Sequence, residues 1–359
     1  MKRTLLTAAL LFVGTTLANS QDATGIKAFS KVDFVSGTQV ILFEDFLDDA
    51  IGDFPDGWDT NVSAEVVTIE GKPGHWLMPT GGGVFTPMLT EPLPDYFTFE
   101  FDVLASSTFT AGTPLSTSFA EMPGATPLVS WHGANNRYTY TVNPTGIYNS
   151  DHRRDGNAEG GVQVLGEAFA GKNEGVAHVA AWRTKERMRV YVNDQKVWDI
   201  PRAMVPTGTY DRILFYLPGV DDANQYFITN IRLAVGAPDT RNRLLTEGRW
   251  TTHGILFDVN SDRIRGESYG ALKEIAGVLN EDPALKVNII GHTDSDGEET
   301  SNLDLSKRRA AAVKSVLAAD FGVAADRMET DGRGESEPAE SNDTAAGKAN
   351  NRRVEFVKT

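Results

Sequence analysis

The sequence predicts two folded units in tandem, an all-β sandwich of two sheets followed by a smaller α/β unit, and three observations carry that reading. The chain is 359 residues long, room for two or three domains at about 100–200 residues each. Between Val40 and Val235, apolar residues recur at every second position in short stretches punctuated by Gly and Pro, the pattern of many short strands. Beyond Gly236-Ala-Pro238-Asp239 the texture changes to alternating strand and helix patterns, which call for helices packed on a mixed sheet. The expected boundaries are a sandwich over residues 40–236, a linker over 237–249 and an α/β domain over 250–359.

Composition narrows the function classes. Hydrophobic residues at 40% and aromatics at 9% suit a folded protein. A net charge of −15 argues against a nucleic-acid binder, which needs a basic footprint to displace counterions from phosphate, and against binding to anionic lipid. With no cysteine, disulfides, thiolate metal sites and lipidated cysteines are excluded. The first 20 residues read as a signal peptide: Lys2 and Arg3, the apolar run Leu5 to Leu17, then Ala18-Asn19-Ser20 with expected cleavage after Ser20. At about 1.5 Å per residue that run falls short of a bilayer's ~30 Å core. No later apolar stretch is long enough to span, so the expected protein is exported and attaches by binding.

Taken in order, Phe97, Phe99, Phe101 and Val103 alternate with Thr98, Glu100 and Asp102, the period of a half-buried strand. Residues Met188 to Val192 and Lys196 to Ile200 read as a hairpin turned at Asn193-Asp194. Residues Ile213 to Leu217 and Tyr226 to Leu233 supply two more strands. Between Ala105 and Gly171, small and polar residues, including Asp151 to Gly161, suggest long surface loops. In the second unit, strands are expected at Thr252 to Phe257, Leu285 to Ile290, Arg327 to Gly332 and Arg352 to Val357, with helices at Glu267 to Leu279 and Leu303 to Ala319.

The informative chemistry lies between Phe257 and Arg353. On a wheel of about 100° per residue, Leu305, Val313, Val316 and Leu317 form an apolar stripe with Arg309 inside it. A guanidinium on a packing face is costly unless something anionic meets it. The loop Gly291-His292-Thr293-Asp294 leaves the preceding strand nearby, so Asp294 is the natural counterpart. Two readings stay open on spacing alone: a salt bridge that pins the loop, or a clamp in which Arg309 takes a ligand's carboxylate and Asp294 its ammonium.

Five ordered motifs add to this. Phe257-Asp258-Val259-Asn260-Ser261, Gly291-His-Thr-Asp294, Asn302-x-x-Leu305-Ser306-x-x-Arg309-Ala310, Gly332-x-Gly334-Glu335 and Asn351-Arg352-Arg353-Val354-Glu355 together resemble the OmpA-like peptidoglycan-binding domain, over about 110 residues. The resemblance implies non-covalent recognition of the diaminopimelate of the peptidoglycan stem peptide and favours the clamp. It implies Asp294 for the ammonium, Arg309 for the carboxylate, and Asp258, Asn260, Thr293, Asn302 and Arg352 as pocket residues. This sequence adds an acidic loop, Asp296-Gly297-Glu298-Glu299, beside Asp294. An EF-hand reading of Asp294-Ser-Asp296-Gly297 fails because its twelfth position, Leu305, cannot supply a carboxylate. His292 reads as structural.

The first unit, from Phe43-Glu-Asp45-Phe46 through Trp58 and again from Lys185 to Pro201, resembles laminin-G-like or concanavalin-like jelly rolls. Such folds include glycosidases with Glu-x-Asp-x-(x)-Glu on one strand face. Here Glu100-Phe101-Asp102-Val103 is the nearest match and Leu104-Ala105 stands where the second Glu belongs. Glu65 and Glu70 point to opposite faces. Trp58, Trp76 and Trp131 are either sugar platforms or core, and Asp45, Asp48 and Asp49 either ligate calcium or form a solvated turn. The expectation is therefore a non-enzymatic envelope protein without cofactor, anchoring the outer membrane or periplasm to peptidoglycan. The alternative is a polysaccharide-binding or polysaccharide-hydrolysing protein acting through its sandwich.

Overall fold

The computed structural model describes residues 33–106, 113–122, 134–169, 175–193, 195–221, 224–236 and 240–359. The expected signal peptide, Trp131 and the start of the expected linker lie outside them. Strands β1 Gln39–Glu44, β2 Trp58–Thr60, β3 Ala64–Val67, β4 Trp76–Pro79 and β5 Gly83–Pro87 open the fold. They are followed by β6 Tyr96–Ala105, β7 Leu115–Glu121, β8 Asn136–Val142, β9 Ile147–Arg154 and β10 Asn157–Leu165. The set closes with β11 Val176–Thr184, β12 Arg187–Val192, β13 Gln195–Ile200, β14 Arg212–Leu217 and β15 Tyr226–Val235. One sheet runs β13-β12-β11-β6-β15-β4-β3 with β1 also paired to β15, and the other runs β10-β9-β8-β7-β14-β5-β2.

The inner faces share one core. Phe99 meets Phe119 edge-on at 5.7 Å and Phe101 meets Phe215 at 5.2 Å between ring centroids, so β6 of one sheet interlocks with β7 and β14 of the other. Trp58 and Trp76 are buried, Trp58 within this core.

Two expectations are corrected here. The segment read as long loops contains β7 to β10, and Asp151 to Gly161 belongs to the β9–β10 hairpin, bulged at Glu159/Gly161. These strands carry Ser, Thr, Gly and Tyr in place of aliphatic alternation, while Leu115, Phe119, Tyr138, Tyr140 and Tyr148 supply their share of the core. Strand β6 is not half-buried: Thr98, Glu100 and Asp102 are 2%, 2% and 3% exposed. Their face is covered by the rest of the chain. Arg265 donates to both oxygens of Asp102 at 3.0 and 3.1 Å, and Ser36 donates to Glu100 at 2.5 Å. His178 lies between the two carboxylates, 2.8 Å from Asp102 and 3.4 Å from Glu100.

The C-terminal domain is a four-stranded mixed sheet ordered β16-β19-β17-β18. Its elements are helical turns at α1 Thr240–Asn242 and Arg243–Glu247, β16 Arg249–Thr252, α2 Tyr269–Glu281, β17 Val287–His292, α3 Glu299–Phe321, β18 Met328–Gly334, α4 Ala345–Asn351 and β19 Val354–Lys358. Strands β17 and β18 are parallel, joined through α3 as a crossover connection requires. The stretch read as a linker is mostly helical, and Leu244 is buried in the domain's core.

The strand expected at Thr252 to Phe257 ends instead at Thr252. Its hydroxyl takes the Gly254 N–H at 3.0 Å and Ser268 takes the Leu256 N–H at 2.8 Å, so those donors are lost to a ladder. Only an isolated bridge, Phe257 to Ile264, continues the extended pairing.

Helix α3 ends at Gly322, left-handed at φ 69°. Its buried face is Asn302, Ser306, Ala310, Val313 and Leu317, a ridge of smaller residues offset from the expected stripe. The reason is close approach. A Cβ on Gly291 would stand 2.3 Å from the Ser306 carbonyl oxygen, and one on Gly332 2.4 Å from the Lys307 nitrogen. Glycine at both strand positions lets the helix lie directly on the sheet.

Candidate functional site

Flush docking of α3 brings its first turns against the carboxyl end of β17, where Thr293 and Asp294 leave the sheet. Asp294 is 7% exposed. Its Oδ1 accepts the Asp296 N–H at 3.2 Å, closing a tight turn. Asn302 fixes this turn from the helix, donating to the carbonyls of Asp294 and Asp296 at 3.3 and 3.0 Å and to Glu335 at 2.6 Å. Glu335 stood in a motif but not among the expected pocket residues, because its partnership with Asn302 depends on how β18 and α3 meet. Thr293 donates its N–H to the Gly334 carbonyl at 2.9 Å. Its buried hydroxyl finds no hydrogen-bond partner among the described residues.

Of the two readings left open by spacing, the salt bridge between Asp294 and Arg309 does not form, and Asp294 pairs with another guanidinium. Asp294 Oδ2 is bound by Arg352 Nη1, from the segment between α4 and β19. Arg309 instead donates from Nε to the Ser261 carbonyl at 2.9 Å and lies over the Phe257 ring at 4.8 Å. Burial pushes its guanidinium down to about 10, against the pull of Asp294. The geometric reason is local. Asn260 adopts φ 53°, turning the chain between Phe257 and Ile264 so that the Ser261 carbonyl reaches the helix. Asp294 and Arg309 are therefore electrostatic neighbours without sharing a hydrogen bond.

The remaining expected pocket residues divide. Asp258 pairs with Arg263 at 3.3 Å, and Asn260 is exposed at the turn; their contribution to the Arg309 environment is the turn itself. Arg352, Asn302 and Thr293 converge with Asp294. With Arg309 and Glu335 alongside, the group holds two carboxylates and two guanidinium groups, with Asp296 and Glu298 on the adjoining loop and Glu299 at the start of α3. His292 is 3% exposed, and burial first, then Arg353, push its ring down to about 4, so it stays neutral as a structural residue.

In the sandwich, Glu100 and Asp102 are sealed and paired, so neither faces a substrate. Glu70 follows β3 in a turn, unlike the strand placement expected for it. The carboxylates of Glu44, Asp45 and Asp49 accept the N–H groups of Phe46, Leu47 and Asp56 at 2.9, 3.3 and 3.1 Å, which marks a hydrogen-bonded turn.

A mixed sheet with a charged cluster at the end of its parallel pair, roofed by a helix on glycines, is the frame of this α/β domain. Residues 256–352 match the OmpA family. The chain is 41% identical over 101 residues to outer membrane porin F of Pseudomonas aeruginosa, covering 28% of this chain and 29% of that protein. It is 44% identical over 105 residues to the probable lipoprotein YiaD of Escherichia coli K12, covering 29% of this chain and 48% of that one. The structure of the peptidoglycan-associated lipoprotein from Burkholderia pseudomallei is 28% identical, covering 34% of this chain and 98% of that chain, with a TM-score of 0.29. The chain spans less than half the length of these two curated relatives. Among the described residues no helix is long and apolar enough to cross a membrane.

Proposed function

We propose that the C-terminal domain grips peptidoglycan without covalent bonds, by recognising the zwitterionic end of diaminopimelate in the stem peptide. Arg309 takes the carboxylate and Asp294 the ammonium. The observation that carries this reading is the state of Arg309: a half-buried guanidinium whose contacts among the described residues are a neutral carbonyl and a ring face. Desolvated cations bound only by neutral groups gain most from an incoming anion. Arg352 already pairs with Asp294, so a ligand ammonium shares that carboxylate with the guanidinium.

A single clamp is weak, but the polymer presents many stem peptides and rebinding raises avidity. On this reading the protein is an exported, non-enzymatic anchor of the outer membrane or periplasm. Its jelly-roll-like sandwich, over residues 40–236, presents a binding or structural surface, and the domain of residues 250–359 holds the wall. The match of residues 256–352 to the OmpA family and a relative named as an outer membrane porin support it. The test is co-sedimentation with purified sacculi. Asp294→Ala and Arg309→Ala each remove a charge-assisted contact worth about 1.5–3 kcal/mol, and should lower affinity for a muropeptide about 10- to 150-fold while leaving the fold intact. Folded variants that sediment like the parent protein would refute the assignment.

A further inference from the structure

The sandwich and the C-terminal domain meet beside the charged cleft. Asn350, two residues before Arg352, lays its amide along β1 as a neighbouring strand would. Its Oδ1 accepts from the Val40 N–H at 2.9 Å and its Nδ2 donates to the Val40 carbonyl at 2.8 Å. Val40, Ala234 and Ala349 close an apolar contact there, with Phe43 packed against it. This docking sets β1 in one register against α4, and three residues along β1 the Phe43 ring lies 4.7 Å from the Arg352 guanidinium carbon. Arg352 is thus held from two sides, by Asp294 of its own domain and by an aromatic face of the sandwich.

Beyond Phe43 the chain turns at Phe46, which is left-handed at φ 59°, and opens a cleft of about 160 Å³ between the two domains. Phe43, Asp45 and Asp48 face it from the sandwich, and Asp296, Lys348 and Arg352 from the other side. Lys348 is tied to Asp296 at 2.9 Å, and the walls carry both signs of charge. Against the about 300–1,000 Å³ of a typical small-molecule pocket, this is a subsite, continuous through Arg352 with the residues that would clamp diaminopimelate.

We propose that the β-sandwich completes the peptidoglycan site: Phe43 is a positioning residue that holds Arg352 against Asp294, and the cleft between Asp45, Asp48 and Lys348 takes the part of the stem peptide that continues beyond the clamped amino acid. This inference rests on the peptidoglycan reading above. A polar peptide of mixed charge suits walls of mixed charge, whereas an uncharged glycan would leave their charges unanswered.

The experiment is calorimetric titration of the full chain with free diaminopimelate and with a diaminopimelate-containing tripeptide. The parent protein should bind the tripeptide more tightly. Phe43→Leu, which keeps bulk but removes the aromatic face, should weaken both ligands about two- to fivefold, the worth of an exposed cation–π contact, and Phe43→Trp should restore them. Asp48→Asn and Lys348→Gln, both polar and surface-compatible, should narrow the tripeptide's advantage over the free amino acid. Parent-like binding by Phe43→Leu would overturn the positioning role. An unchanged tripeptide advantage in Asp48→Asn and Lys348→Gln would overturn the subsite. A parent protein that binds neither ligand and ignores sacculi would defeat the peptidoglycan reading itself, an outcome distinct from the other two.

Discussion

Replacing Arg265 by alanine should be the most damaging single change at the domain junction. Asp102 lies at 3% exposure and accepts four hydrogen bonds: two from Arg265 at 3.0 and 3.1 Å, one with His178 at 2.8 Å and one from Asn230 at 2.8 Å. Burial opposes its charge, but Arg265 and His178 outweigh that and hold the carboxyl well below the usual range. Breaking a buried pair by removing one partner costs about 3–5 kcal/mol. Because His178 and Asn230 remain, the lower end applies, about 3 kcal/mol. At about 2–4 °C per kcal/mol for a unit of this size, differential scanning calorimetry should read a fall of roughly 6–12 °C. Pairing the change with Asp102→Asn should recover part of the loss, as a double-mutant cycle measures directly. A fall below about 2 °C would show that the junction contributes nothing to stability and refute the reasoning.

The same network sets a pH window. Burial works against a charge on His178, but the carboxylates of Asp102 and Glu100 push its ring from 6.5 up to about 10. A raised folded value means that its contribution is complete below about 6.5 and is lost as pH rises towards 10. Asp102, shifted downward from 3.8, contributes above that value and loses its contribution as pH falls below it. Thermal stability should therefore be highest between about pH 4 and 6.5, and His178→Gln should flatten the alkaline limb. Gly291→Ala should cost about 1–3 kcal/mol by chemical denaturation, because its Cβ would meet the Ser306 carbonyl. Raising salt from 0.1 to 1 M should weaken sacculus binding, since exposed charge pairs are screened over about 3 Å at the higher strength; salt-independent binding would argue for an apolar mode.

What could be read in advance depended on whether a partner was near in sequence or set by pattern. Strands such as β6 and β12 announce themselves because aromatic and aliphatic residues alternate. Alternation names the two faces, though, and cannot say what covers the second one, so Glu100 and Asp102 read as wet when Ser36 and Arg265, distant in sequence, cover them. Strands β7 to β10 escaped because their alternate positions carry Ser, Thr and Gly, which look the same in a loop. Helix α4, of seven residues with Thr344 as its cap, is too short to show a period. Arg309 was found by its place on the helix wheel, yet the true partner of Asp294 lies 58 residues further on, reached only when β19 and β17 pair.

The junction has one mechanical consequence. Arg265 reaches β6, the middle of the larger sheet, while Asn350 stitches β1 and Arg232 donates to the His253 carbonyl at 2.9 Å. Tension arriving from a bound polymer would spread across several strands at once instead of pulling on a single peptide thread. Held this way, the molecule behaves as a bracket with a fixed elbow, and on the peptidoglycan reading whatever docks on its far end would keep a constant bearing to the gripped polymer.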